Sequence, residues 1–183
     1  NKNKAIDAAK GDWVLQLDAD EVITPGLSKE IKEIDYKKDI DGYWIPRKNF
    51  FLGIFLTKGG QYPDYTLRLY KKGKGRLPAK DVHEQAEVEG EVGYLKCDLL
   101  HVRDKNFAEY MLRFNRYTSL LASQIKNPGF DYLLIKPFAW FVKAYIRHRG
   151  YVDGFPGFVF ALFSSLRFPV AYFKYWSNHE NSN

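Results

Sequence analysis

Apolar positions follow two rhythms along the 183 residues. Up to about residue 104 they come in short runs broken by turns. Ala5, Ile6, Ala8 and Ala9 in residues 2–10 have the spacing of one helical face, and Gly11 ends that segment. Trp13, Val14, Leu15 and Leu17 form a nearly continuous apolar run, the pattern of a strand buried in a parallel sheet, and the run closes on acid, WVLQLDADE. Thr24-Pro25 opens a helix with proline in its first turn, and Leu27, Ile31 and Ile34 supply one apolar stripe. Residues 42–51 read as a strand running into a loop, 53–64 as a glycine-rich aromatic loop, Tyr65–Lys71 as an alternating strand, and 85–102 as one or two further strands. A helix, a glycine and a buried strand make an α/β unit, and such sheets carry their chemistry at the carboxyl ends of strands. Asp18, Asp20 and Glu21 stand at that end.

From Asn106 the period becomes helical. Phe107, Tyr110, Met111, Phe114, Tyr117, Leu121 and Ile125 recur near every third or fourth position until Pro128-Gly129. A second helix is expected over about 131–149, kinked or broken by its interior Pro137 and ended by Gly150, and a third aromatic segment over about 153–177. The longest uncharged run, Gly154–Leu166, has 13 residues. A membrane span needs roughly 18–20, so no transmembrane helix is expected. Two domains follow, 1–104 and 105–183.

Composition sharpens this division. Hydrophobic residues at 45% and charged residues at 27% suit a packed chain and exclude a disordered one. Residues 1–98 hold as many Lys and Arg as Asp and Glu, so the net charge of +6 lies wholly in residues 99–183, which also hold 20 of the 31 aromatics. A basic, aromatic half suits an anionic membrane surface, because Lys and Arg can snorkel to headgroups. Nucleic acid is not expected as a partner, since no KH, zinc-finger or RNP-type motif is present. The single Cys97 excludes an internal disulfide framework and suits a reducing compartment. The opening NKNKAIDAAKGDW reads like the middle of a helix entering a strand, as expected of a fragment of a longer protein.

In an extended segment residues i and i+2 point the same way, so Asp18 and Asp20 are expected to present two carboxylates together. A divalent cation relieves their repulsion, and hard oxygen ligands suit Mg²⁺ or Mn²⁺ bound jointly with a substrate's phosphates. The plainer alternative is an acidic cap on the following helix.

The surrounding residues carry a resemblance. GDWVLQLDADEVITPGL resembles the central segment of the family 2 glycosyltransferases of the GT-A fold. GYWIPRKNFFLG, YPDYTLRLYKKGKGRL, DVHEQAEVEG and LLHV are similar to that family's acceptor half in the same order. KAYIRHRGYVDGFPGFVFALFSSLRFPVAYFKYW resembles the helical tail of its bacterial lipopolysaccharide-core, β-1,4-glucosyltransferase-like branch. The resemblance implies a partial, Rossmann-like GT-A α/β sheet lacking its first βαβ units, which bind the nucleotide, followed by an α-helical tail. It also implies inverting, metal-assisted transfer of a sugar from a nucleotide sugar, UDP-glucose or one like it, to a hydroxyl of a cell-surface glycan or lipid-linked glycan. The enzyme would work in the cytoplasm, peripheral on the inner face of the cell membrane. The competing class is a non-catalytic membrane-surface or partner-binding module that keeps an acidic loop.

Inverting transfer needs a base for the acceptor hydroxyl and positive charge for the departing diphosphate. The resemblance makes Asp18 and Asp20 the cation's ligands and Glu84 of Val82-His83-Glu84 the base, with His83 orienting the site or donating a hydrogen bond, or else His83-Glu84 is a polar loop pair with no role. Asp64 is the second carboxylate, as a contact to acceptor or sugar hydroxyls, or else an ordinary Pro-Asp turn residue. Arg47 and Arg68 are candidates for pairing with phosphate or an acidic acceptor, since guanidinium binds such groups bidentately, or else strand-edge charges. His101 is a candidate further metal or phosphate ligand, or else a buried hydrogen-bonded histidine. Glu21 is expected to cap or to support the metal site from behind.

Overall fold

The computed structural model describes residues 2–36, 38–78, 85–126 and 128–180, the last two by backbone alone. The elements are α1 (Lys2–Ala8), β1 (Trp13–Leu15), β2 (Glu21–Ile23), α2 (Pro25–Glu33), β3 (Gly42–Phe51), β4 (Ile54–Phe55), β5 (Asp64–Lys71), β6 (Gly75–Arg76), β7 (Glu87–Val88), β8 (Val92–Tyr94), β9 (Leu99–Val102), α3 (Phe107–Gln124), α4 (Ile135–Phe141) and α5 (Gly154–Glu180). They form two compact units: residues 1–49 with 63–102, and residues 50–62 with 103–183.

The first unit carries the mixed sheet, strand order β1-β5-β3-β9-β2, with β8 also paired to β3. The parallel setting expected for the Trp13 run is corrected. β1 spans only Trp13–Leu15, lies at one end of the order and pairs antiparallel with β5, and its residues are half-buried. A strand with a single described neighbour shields its apolar side chains only in part. Among the described pairings, β3 with β8 is parallel. β2, unforeseen because it is three residues long, pairs antiparallel with β9. The helix at Thr24 is as expected: Thr24 Oγ1 accepts the Leu27 N–H at 3.1 Å, and Pro25 occupies the first turn, where no N–H is needed.

Leu27 of α2 packs on Tyr43, Ile45, Leu69, Leu95 and Leu99 in the main core, and Ile6 of α1 packs with Tyr70, Leu77 and Ala86 in a second cluster. A side chain at Gly75 would put its Cβ 2.3 Å from the ring of the fully buried Tyr70. Gly75→Ala should therefore destabilise by about 1–3 kcal/mol through overpacking, read as a fall in the thermal unfolding midpoint of the sheet unit.

The second unit is helical. Phe51, Leu56, Tyr110 and Phe114 form its main core, with Phe160 and Phe163 of α5 against them. Pro137 kinks nothing: it is the third residue of α4, where the missing N–H has no partner to lose. α4 continues as a π-helix over Val142–Arg147, and a 3₁₀ turn over Gly150–Asp153 leads into α5. The third segment is a single helix of 27 residues that carries Pro169 in its interior. By length and composition Gly150–Asn178 is apolar enough to cross a membrane, which revises the sequence expectation. The reason is that a long apolar helix tolerates single charges such as Arg167 and Lys174, whereas the uncharged run stops at Leu166.

Candidate active site

The site lies in the sheet unit and starts from two irregularities. After β1 the chain leaves the sheet and turns, with the Glu21 N–H bonding the Asp18 carbonyl at 3.0 Å. Asp18 and Asp20 therefore do not share the alternation of an extended strand, and each meets a different partner. The second irregularity is a register shift: Tyr43 pairs with Leu69 and Trp44 with Leu67, which leaves Arg68 as the extra residue on β5. Bulges re-aim a side chain, and this one directs Arg68 at the acidic turn.

Arg68 Nη2 donates to Asp18 Oδ2 at 2.5 Å and to Glu21 Oε1 at 2.7 Å. The Glu21 side chain is fully buried, and its other oxygen accepts the Asp18 N–H at 3.0 Å. Lys2 of α1 reaches the remaining Asp18 oxygen. Burial pushes the Asp18 carboxyl up, but Lys2 and Arg68 outweigh it and hold it below the ordinary carboxylate range. Arg47 contacts Glu21 Oε1 at 3.4 Å and donates to Asp64 Oδ2 from Nη2 at 2.6 Å and from Nε at 3.0 Å. Directly opposite one another on β3 and β5, Arg47 and Asp64 are placed by the strand register itself.

Asn49, two residues after Arg47, extends the network. Its amide nitrogen donates to Asp64 Oδ2 at 2.9 Å, so its carbonyl faces His101 Nδ1 at 2.6 Å. That orientation requires a proton on Nδ1. His101 sits opposite Glu21 in the β2–β9 ladder, and the Val102 N–H bonds the Asp20 carbonyl at 2.9 Å. Nε2 of His101 thereby meets Asp20 Oδ2 at 3.2 Å. In the neutral ring this is a lone pair facing a carboxylate, an arrangement that a proton or a metal cation between the two atoms resolves. His101 is thus a buried imidazole bonded through both ring nitrogens, with Nδ1 fixed by an amide carbonyl.

Seven of the residues singled out in the sequence thus converge: Asp18, Asp20, Glu21, Arg47, Asp64, Arg68 and His101. His83 and Glu84 lie outside the described residues. Arg47 and Arg68 are paired with buried or half-buried carboxylates. Sequence reasoning missed Lys2 and Asn49. Asn49 had a signal, since it shares a strand face with Arg47, whereas Lys2 had none.

No three His, Cys, Asp or Glu side chains among the described residues converge as a ready cage. Mg²⁺ and Mn²⁺ commonly need only one or two protein ligands together with substrate phosphates. An accessible Asp20 carboxylate beside an oriented imidazole meets that need, so the residues fit such a cation. Asp18 would contribute only by exchanging one of its two cationic partners.

Residues 1–84 match the model of the glycosyl transferase family 2 domain. Over 185 aligned residues the chain is 29% identical to the lipopolysaccharide core biosynthesis glycosyltransferase LpsC of Rhizobium meliloti (strain 1021), with 97% of this chain and 68% of the relative covered.

Proposed function

We propose that this chain, which belongs to the family 2 glycosyltransferases, transfers a sugar with inversion from a nucleotide sugar to a hydroxyl of a lipopolysaccharide-core or related cell-surface glycan. The observation that carries the reading is the contact network from Asp18 to Asp20, which prepares an accessible carboxylate and an oriented imidazole side by side. The relative's role in lipopolysaccharide core biosynthesis supports the acceptor class, and UDP-glucose or a similar sugar nucleotide is the donor we assign.

Asp20 and His101 would hold Mg²⁺ or Mn²⁺, with Asp18 as a third ligand once released by Lys2 or Arg68. The bound cation supplies Lewis-acid neutralisation of the departing diphosphate. Arg68 holds Asp18 and Glu21 at their stations, and Arg47 does the same for Glu21 and Asp64. Asp64, with one oxygen committed to three donors, suits contact with a sugar hydroxyl through its rim-facing side better than proton abstraction. The base we assign is Glu84, with His83 beside it to orient the acceptor. Taking the hydroxyl proton lets the acceptor oxygen attack the anomeric carbon from the face opposite the diphosphate.

The location that goes with this reaction is cytoplasmic, on the inner face of the cell membrane, where a lipid-linked acceptor meets an anionic lipid surface. The basic, aromatic helical unit supports it. A screen of nucleotide sugars with the full-length protein and a core-glycan acceptor, with and without Mn²⁺, tests the reaction directly. In the same assay Glu84→Gln should lower kcat by about 10²-fold with little change in donor affinity. Turnover close to that of the parent would remove Glu84 as the base.

A further inference from the structure

We propose that the hairpin formed by α4, its π-helical continuation and the first half of α5 is a monotopic anchor that lies in the plane of an anionic bilayer leaflet. The inference rests on the location proposed above and is independent of the reaction. Leu134, Ile135, Phe138 and Ile146 recur at helical spacing on the first arm, and all are exposed, Phe138 by 72%. Tyr151, Val152, Phe155 and Phe158 do the same where the second arm begins, Phe155 by 77%. The two stripes adjoin: Phe158 packs edge-on against Phe141 and Tyr145, at centroid distances of 6.0 and 5.8 Å. The turn between the arms is close-packed on both: a Cβ on Gly150 would lie 2.8 Å from the Ala144 carbonyl of the first arm, and one on Gly157 of the second would lie 2.0 Å from the Gly150 carbonyl. Large apolar side chains clustered this way mark an interaction surface and not ordinary solvent exposure.

Charge selects lipid as the occupant. Just before the hairpin Asp131 pairs with Lys136, and from there to Leu166 the hairpin carries Lys143, Arg147 and Arg149 against one acid, Asp153. That acid is spent internally: its two oxygens accept the Thr57 N–H and hydroxyl and the Lys58 N–H. Lys143, Arg147 and Arg149 are exposed beside the aromatic stripes, the pairing of acyl-seeking rings with headgroup-seeking cations that interfacial helices use.

The neighbour of α5 decides between lying in the membrane plane and spanning it. α3 packs on α5 through Phe107, Tyr110 and Phe114 against Phe163, and Lys174 Nζ bonds the Asn115 carbonyl and side chain, Thr118 Oγ1 and Ser119 Oγ. Beside the exposed Leu112, α3 presents the exposed polar side chains of Glu109, Arg116 and Gln124. A spanning α5 would carry those groups into hydrocarbon, at several kcal/mol for each unsatisfied polar group.

Vesicle flotation of the full-length protein without sugar nucleotide tests this, comparing phosphatidylcholine alone with an equal mixture of phosphatidylcholine and phosphatidylglycerol. The mixed vesicles should carry the protein, and raised salt or alkaline carbonate should release it. Removing one charge at a time, in Arg147→Gln and Arg149→Gln, should weaken binding roughly five-fold per step. The exposed pair Phe138→Ser and Phe155→Ser should abolish flotation with unchanged circular dichroism and thermal midpoint. Equal flotation on both vesicle types, flotation indifferent to these variants, or retention after carbonate overturns the anchor. A salt-independent dimer dissolved by the Phe pair would identify a second copy as occupant and likewise overturn it. Because no donor is present, failure here leaves the transfer reaction standing, and failure of the donor screen leaves the anchor standing.

Discussion

Asp20→Ala is expected to lower metal-dependent transfer by about 10³-fold, the scale of losing an electrostatic stabiliser of the leaving group. Its side chain is 40% exposed and meets His101 at 3.2 Å, while its carbonyl keeps the Val102 N–H after substitution. The fold should therefore survive and the loss should be chemical. A Mn²⁺ titration of the variant would show weakened dependence on metal as well as lower turnover. His101→Ala should mimic it in direction. Full activity in Asp20→Ala at ordinary metal concentration would remove this carboxylate from the reaction, and with it the assignment of the site.

Arg68→Met should have the largest effect on stability. Arg68 is 6% exposed and pairs with Asp18 and with Glu21, whose side chain is fully buried. Methionine fills much of the space but leaves the buried Glu21 carboxylate only its longer contact to Arg47, a loss of about 3–5 kcal/mol. For a chain of this size that is on the order of a 10 °C fall in the thermal midpoint. Glu21→Gln in the same background should recover part of the loss, since the underpaired charge disappears with it, and the double variant should be less damaged than the sum of the singles. A midpoint unchanged by Arg68→Met would mean that the buried pair stabilises nothing.

Parts of this architecture were legible in the residues alone. Thr24-Pro25 states its helix start because the cap and the proline act on their own turn. Asp18 and Asp20 announce themselves by following an apolar run, and His101 by ending one. What stayed hidden is the pairing across the chain. Nothing local says that Arg68 is the unpaired residue of a bulge, that Asn49 lies between Asp64 and His101, or that Lys2 reaches an acid 16 positions on. Those contacts come from strand register, which is set by the whole sheet. The parallel setting expected for Trp13–Leu17 failed for the same reason: an apolar run reports burial and says nothing of neighbour direction. Pro137 was misread because its effect depends on where a helix begins, and α4 begins two residues earlier.

The charged members of the contact network nearly cancel: Asp18, Asp20, Glu21 and Asp64 stand against Lys2, Arg47 and Arg68. A cluster so close to neutrality casts little field beyond its own rim. An anionic donor approaching it is neither pulled in nor turned away at long range, so encounter is governed by diffusion and fit. The rate of donor capture at this cluster should accordingly vary little with ionic strength.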